Sequence, residues 1–316
     1  MQFRSTRRRA ALTGALVTVA LIPTITEAQR AGPGTAEPAP TERTVSDTTA
    51  KGTSAITQAG TARTDSAAAE LALVPAPGIL TRRDLVIAAG FTAVAVALFP
   101  VDKELTDWVR SDRHLENHPL RNTMAGAEWG VEKGAMIAGG GLWALGLVAR
   151  NRTVAGIGAH TLVSIGATHQ VTNLLKGVFG RSRPYLSSDS LPHDWQPGTG
   201  FGDSDRRSFP SGHTSIAFAF ATAMSTEISH AWPRAGKIAT PLLYAGATSS
   251  ALARIYHDQH WASDVAVGAA VGILTTRATL RLLHGHPGNF IDKVVLNTRI
   301  VPEKGGVTLA ITLPTP

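Results

Sequence analysis

The sequence predicts an all-α fold, a six-helix bundle followed by a short β-like C-terminal tail. Three observations carry this. Six apolar runs follow one another between residues 84 and 283. None of them alternates apolar and polar residues with the period of a strand. The 316 residues, 43% hydrophobic and 17% charged, suit one domain of ordinary size with extensions.

Residues 1–28 are expected to be a signal peptide or an N-terminal anchor. Arg4, Arg7, Arg8 and Arg9 form a basic start, residues 10–25 are apolar, and Thr26-Glu27-Ala28 is a small-residue cleavage site. The arginine run also suits a twin-arginine export route. Residues 29–78 are rich in Ala, Thr, Gly, Pro and Ser with no hydrophobic period. Such a composition buries too little apolar surface to offset ordering entropy, so a disordered linker is expected.

The folded domain is expected over residues 79–283. Its first run, 85–99, is closed by Pro100. A polar connection from Asp102 to Arg113 follows and predicts a short amphipathic helix. The second run, 134–149, contains Gly139-Gly140-Gly141, costly in a water-exposed helix but suited to close helix contact. Arg150-Asn151-Arg152 ends it. The remaining runs are 154–175, 214–228, 238–253 and 262–283. The tail, 284–316, carries Gly305-Gly306 before a Thr-rich, β-branched stretch, which predicts a hairpin or an extended end.

Length and charge pull in different directions on the solvent of this bundle. A membrane span needs about 20 apolar residues. Four of the six runs have 15 or 16, and the third carries His160, His169 and Gln170. Yet Arg82-Arg83, Arg150/Arg152, Arg234/Lys237 and Arg277/Arg281 fall at alternate run ends, the pattern of cytoplasmic flanks. Residues 176–213 and 254–264 would then face outward. A cleaved signal conflicts with this, because it places Arg82-Arg83 outside. The expectation is a membrane-embedded bundle in the cell envelope, at the inner membrane, with the site facing the periplasm or exterior. The alternative is a soluble periplasmic or secreted bundle.

The net charge of +7 favours anionic partners. Basic residues do not cluster on one helix among aromatics, so no nucleic-acid partner is expected. The absence of cysteine excludes disulfides, thiol nucleophiles and Cys-ligated zinc.

Three clusters carry chemistry. Lys176 and Arg183-Pro184 follow the third run. Phe209-Pro210-Ser211-Gly212-His213-Thr214 opens the fourth, and a helix start there offers free N–H groups to an anion. Arg254, His260 and Asp264 lie between the fifth and sixth runs. His260 and Asp264 share a helix face, where a carboxylate fixes an imidazole tautomer. Together the clusters read as a phosphate site. Lys176, Arg183 and Arg254 give charge, residues 211–213 give donors, His260 a nucleophile held by Asp264, and His213 an acid. Phosphoryl transfer needs chiefly charge stabilisation and an in-line nucleophile, so no metal or cofactor is demanded.

With these residues in place, the sequence resembles the type 2 phosphatidic acid phosphatase / vanadium haloperoxidase superfamily over roughly residues 80–283. Lys176 to Arg183-Pro184 matches the first motif, Pro210 to His213 the second, and Arg254, His260 and Asp264 the third. Ala253 stands where the third motif has serine, which puts only local packing or a minor hydrogen bond in doubt. The resemblance implies the helical bundle of the acid phosphatase/vanadium haloperoxidase type. It implies that His260 attacks phosphorus to form a phosphohistidine and that Asp264 orients it. It implies that His213 protonates the leaving oxygen and then activates water. Lys176, Arg183, Arg254, Ser211 and the Gly212 N–H would bind the phosphoryl oxygens.

The function expected is a metal-independent phosphatase acting on a phosphate monoester or pyrophosphate, with a phosphorylated lipid as substrate and the membrane as its setting. The alternatives are a soluble exported acid phosphatase of broad specificity and a vanadate-dependent haloperoxidase. His257 and His260, three apart, form a weaker metal-ligand reading that lacks a third ligand. His193, Asp194, Trp195, Asp203 and Asp205 are read first as solvated loop residues, with the shaping of substrate entry as the alternative.

Overall fold

The computed structural model describes residues 16–23, 78–111, 118–129, 131–186, 191–286, 288–303 and 306–313. Most of the expected export segment and nearly all of the expected linker lie outside these residues.

All six predicted runs are helices. They are α1 (Arg82–Leu98), α4 (Val131–Val148), α5 (Arg152–Phe179), α6 (Gly212–Ala231), α7 (Pro233–Tyr256) and α8 (Ala262–Gly285). The predicted amphipathic helix is α2 (Asp102–Arg110), which buries Asp102, Thr106 and Val109 along one face. Helices α3 (His118–Trp129) and α9 (Phe290–Leu296) are additions that no apolar run announced. The tail forms an antiparallel hairpin of β2 (Thr298–Glu303) and β3 (Gly306–Leu313). Strand β1 (Leu16–Pro23), inside the apolar run of the expected export segment, pairs with β3 in parallel.

Local chemistry sets the helix ends. Thr81 caps α1 with a reciprocal capping box, in which Asp84 Oδ2 accepts from the Thr81 amide at 2.8 Å. The same carboxylate pairs with Arg277 and Arg281, each at 2.6 Å, and so ties the start of α1 to the last turns of α8. Pro233 opens α7, where its missing N–H is not needed. Helix α5 runs on past its apolar stretch until Gly180, at φ 57°, turns the chain out of it.

Helix α6 is the central element, packed against α5, α7 and α8. The interior is built from small residues: Ala217, Ala219, Ala221, Ala251 and Ala253 are buried, with Ser215, Thr214 and Thr222 among them. Backbones approach closely as a result. A Cβ on Gly272 of α8 would lie 2.3 Å from the Ser215 carbonyl oxygen of α6. Several large apolar side chains point out instead. Val86 and Val96 on α1 are 72% and 67% exposed, Ile137 on α4 is 73%, and Ile238 and Leu242 on α7 are both 66%. Among the described residues, two stretches, Arg82–Arg110 taken through the 3-10 turn at its proline and Ala262–Gly285, are long and apolar enough to cross a membrane.

The chain directions sort the charges. The start of α1, the α4–α5 junction, the α6–α7 junction and the end of α8 all lie at one end of the bundle. The four basic flanks therefore share that end, while Lys176, Gly212 and Asp264 sit at the other.

Candidate active site

The end of the bundle away from those flanks holds a cavity of about 230 Å³. It is lined by Lys176 and Arg183, by Gly212 and His213, and by Arg254 and His260, with His169, Thr172, Asn173, Arg207 and Ile216 completing the wall. Three stretches far apart in the chain thus meet in one space. Six of the eight predicted site residues line this wall, and the other two, Asp264 and Ser211, are fully buried outside it.

Each lining group is held by its element. Lys176 lies in the last turn of α5, and its Nζ donates to the Arg207 carbonyl at 2.6 Å. Gly212 is the first residue of α6, and a Cβ there would sit 3.4 Å from Lys176 Cε. The helix start and the lysine therefore form one wall. Arg183 Nη1 and Arg254 Nη2 both donate to Gln259 Oε1, at 3.3 and 3.4 Å, which holds the two guanidinium groups side by side. Arg207 donates to Asn173 Oδ1 at 2.9 Å and to the Gly200 carbonyl at 2.6 Å. It adds a fourth cation to the cavity lining.

His260 lies in the connection between α7 and α8 and is 2% exposed. Its Nδ1 is 3.8 Å from Asp264 Oδ2, beyond hydrogen-bond length, and has no hydrogen-bond partner among the described residues. Nδ1 is thus directed at the carboxylate, which leaves Nε2 on the cavity side. Burial pushes the His260 imidazole down to about 3, with Asp264 opposing and Lys176 and Arg183 adding repulsion. The ring is therefore neutral at pH 7, as a nitrogen nucleophile requires.

Asp264 is anchored from four directions. Arg181 Nη1 donates to Oδ1, while Ser208 Oγ at 2.6 Å and the Trp261 amide at 3.1 Å donate to Oδ2. Its backbone carbonyl accepts from the Ser211 amide at 3.0 Å, joining the starts of α6 and α8. Arg181 itself is fully buried and also pairs with Asp102, at 2.8 Å. Its guanidinium lies over the rings of Phe99, Trp195 and Trp261, 4.8–5.5 Å from their centroids. Asp102 accepts from the Ser263 amide at 2.9 Å. Behind His260 there is thus a closed Asp102–Arg181–Asp264 chain.

The loop residues fall into place around this chain. Trp195 covers Arg181 and packs edge-on against Phe179 and Phe209. Asp194 pairs with Arg206 at 2.7 Å, and Tyr185 reaches Asp205 at 3.4 Å. His193, Asp194, Trp195, Asp203 and Asp205 are absent from the cavity wall and support Arg181 and the loop instead. Ser211 is fully buried, and its Oγ accepts from Thr214 Oγ1 at 2.9 Å. Of the Ser-Gly-His segment, Gly212 and His213 face the cavity. Asp258, at φ 57°, is gripped by Arg110 Nε and Nη2 at 3.0 and 2.8 Å, and Arg110 also donates to the Pro184 carbonyl. One arginine of α2 thereby joins the first and third clusters.

Arg181, Arg207, Asp102 and Ser208 were not singled out from the sequence. Arg181 sits between Lys176 and Arg183, where one more cation in a basic stretch gives no sign of facing inward. Asp102 is 162 residues from Asp264, and only the fold joins them.

A helical bundle with this cavity at the ends of α5, α6 and α8 defines a class. The PAP2 superfamily model matches residues 158–286, the stretch that carries all three motifs. The resemblance drawn from the three motifs is borne out there. A lipid A 1-phosphatase of Porphyromonas gingivalis is 45% identical over 67 residues, 21% of this chain. The chain spans 14% of that relative's length. Among solved structures, a transmembrane PAP2-type phosphatidylglycerolphosphate phosphatase from Bacillus subtilis is similar with a TM-score of 0.46 and 17% identity, over 66% of this chain and 100% of that one. LpxE of Aquifex aeolicus is similar with a TM-score of 0.40 and 26% identity, over 56% of this chain and 93% of that one.

Proposed function

We propose that the protein is a membrane-embedded phosphatase that hydrolyses a phosphate monoester or pyrophosphate of a lipid through a phosphohistidine on His260. The observation that carries this is the meeting of His260 and His213 with Lys176, Arg183 and Arg254 on one cavity wall. The family match over residues 158–286 and the relative named as a lipid A 1-phosphatase support the reaction class and a lipid substrate.

In this reading the phosphoryl group enters with its oxygens toward Lys176, Arg183, Arg254 and the Gly212 N–H. These groups neutralise the charge that spreads over the equatorial oxygens. The neutral His260 uses its Nε2 lone pair to form an N–P bond as the P–O bond to the leaving group breaks. The ring becomes cationic, and Asp264 stabilises the proton on Nδ1. His213 gives its proton to the departing oxygen. It then takes one from water, whose oxygen attacks phosphorus and breaks the N–P bond. Phosphate leaves, and both histidines return to their starting states. Such acid–base help is worth roughly 10²–10⁴-fold.

The exposed apolar faces of α1, α4 and α7 support a lipid setting, since a soluble surface rarely shows contiguous patches of that kind. The four basic flanks at the far end then favour the cytoplasmic side for that end, and the periplasm or exterior for the cavity. The N-terminal basic and apolar run remains the candidate export signal or anchor.

The test is a phosphate-release panel on the full chain purified in detergent. It uses phosphatidic acid, an isoprenyl pyrophosphate, a lipid A phosphate and a water-soluble ester. Turnover of a lipid ester that is lost in His260→Ala supports the reading. Parent-like activity in His260→Ala, or turnover of the soluble ester alone, contradicts it.

A further inference from the structure

A second cluster lies at the opposite end of the bundle. His160 of α5, Glu227 of α6 and His284 of α8 each bring one ligand atom to a common point, all within 4.8 Å of one another. Glu227 Oε1 is 2.9 Å from His160 Nδ1 and 2.8 Å from His284 Nε2. On the same three helices, Lys176, His213 and Asp264 lie 16, 14 and 20 residues away. At about 1.5 Å per residue this puts the cluster roughly 20–30 Å from the catalytic cavity. It plays no part in the reaction proposed above.

The surroundings of His160 point to a metal. Its other nitrogen, Nε2, is 3.0 Å from Asp292 Oδ1. Asp292 is itself fixed by Asn289, whose Nδ2 donates to Oδ2 at 2.8 Å and whose Oδ1 accepts from the Asp292 amide at 2.9 Å. A histidine that binds a metal typically hands its second N–H to such a carboxylate, which sets the ring and its tautomer. Both His160 nitrogens face carboxylate oxygens. The inner one therefore carries either a proton or a metal ion.

Two imidazoles and one carboxylate are a zinc donor set. The two N···O pairs would need to part by only about 0.5 Å to suit zinc bond lengths of roughly 2.0–2.2 Å in a tetrahedron. His160 and Glu227 are buried, while the His284 side chain is 38% exposed and leaves a path for entry and a fourth position for solvent.

We propose that His160, Glu227 and His284 form a zinc(II) site that pins α5, α6 and α8 together at the end of the bundle opposite the cavity. Asp292 orients His160 and so couples α9 to the site. The experiment takes the full chain in detergent, strips it with chelator, adds zinc alone and removes excess by gel filtration. Bound metal and thermal unfolding are then measured, independently of phosphate release. About one zinc per chain is expected, with a rise in Tm of several degrees from preferential binding to the folded state. His284→Ala, at a partly exposed position, is expected to fold, to lose the bound zinc and to lose the Tm shift. Asp292→Asn is expected to weaken zinc binding about 10–100-fold. X-ray absorption should report two imidazole ligands. No retained zinc, or unchanged retention in His284→Ala, overturns the proposal.

Discussion

Arg181 and Asp264 form an ion pair in which neither side chain has any exposure. Asp102 closes the other side of the guanidinium, also with no exposure. Removing the cation leaves two buried carboxylates without compensation, and breaking such a pair costs about 3–5 kcal/mol. Arg181→Met is therefore expected to lower thermal stability sharply in detergent. Unchanged unfolding would show that this chain does not brace the site.

Asp264→Asn tests orientation through the kinetics of the folded fraction, since it also weakens the buried pair with Arg181. The amide keeps the shape but removes the charge facing His260 Nδ1, which lies 3.8 Å away. A fall in kcat of roughly 10²–10⁴-fold with little change in KM is expected, as when a histidine loses the carboxylate that sets its tautomer. A loss confined to KM would place Asp264 in binding rather than orientation.

The buried imidazole of His260 has a pH signature. Its folded value is depressed to about 3, while the unfolded chain has an ordinary histidine near 6.5. Between these values the unfolded state takes up a proton that the folded state refuses. Stability from this residue is thus intact above about 6.5 and is lost as pH falls toward 3, by up to about 1.4 kcal/mol per unit. His260→Gln should remove that slope. The comparison is unfolding of parent and variant between pH 7 and 4. Parallel curves would mean that the ring is not held neutral.

The cations should act on anions in the ground state as well. Charge-assisted hydrogen bonds are worth about 1.5–3 kcal/mol each. Lys176→Met and Arg183→Met are expected to weaken competitive inhibition by inorganic phosphate or vanadate about 10–100-fold. Arg207, which lines the same cavity, should show a smaller effect because two of its nitrogens are already engaged with Asn173 and Gly200. Inhibition unchanged in all three variants would remove the cavity from phosphate binding.

The lipid-facing reading predicts that the protein stays with membranes through high salt and leaves them only with detergent. Ile137→Arg, at a position 73% exposed on α4, should reduce membrane insertion, since arginine at a helix centre costs about 2.5–3.5 kcal/mol. Recovery of the parent in a detergent-free wash would favour a soluble exported enzyme.

The helices were legible because apolar runs and their breakers are local. Pro100, Arg150-Asn151-Arg152 and Pro210-Ser211 marked the breaks between runs. Residues Lys176, Arg183, His213, Arg254, His260 and Asp264 were legible as motif members, and five of them line one cavity, with Asp264 directly behind His260. Helix α3 was hidden because it carries no sustained apolar run. The support of the site was hidden for another reason. Asp102 and Arg181 look like surface charges in sequence, and only packing reveals that each is the other's partner. His160 and His284 likewise reach Glu227 only once α5, α6 and α8 pack together.

The most direct test of the central claim is to trap the covalent intermediate. His213→Ala should slow its hydrolysis, while an aryl phosphate with a good leaving group still loads His260 without an acid. With ³²P-labelled substrate and an alkaline quench, label is expected on the peptide containing His260, stable in base and lost in acid. Turnover with no label on that peptide, or label on another residue, would contradict the account.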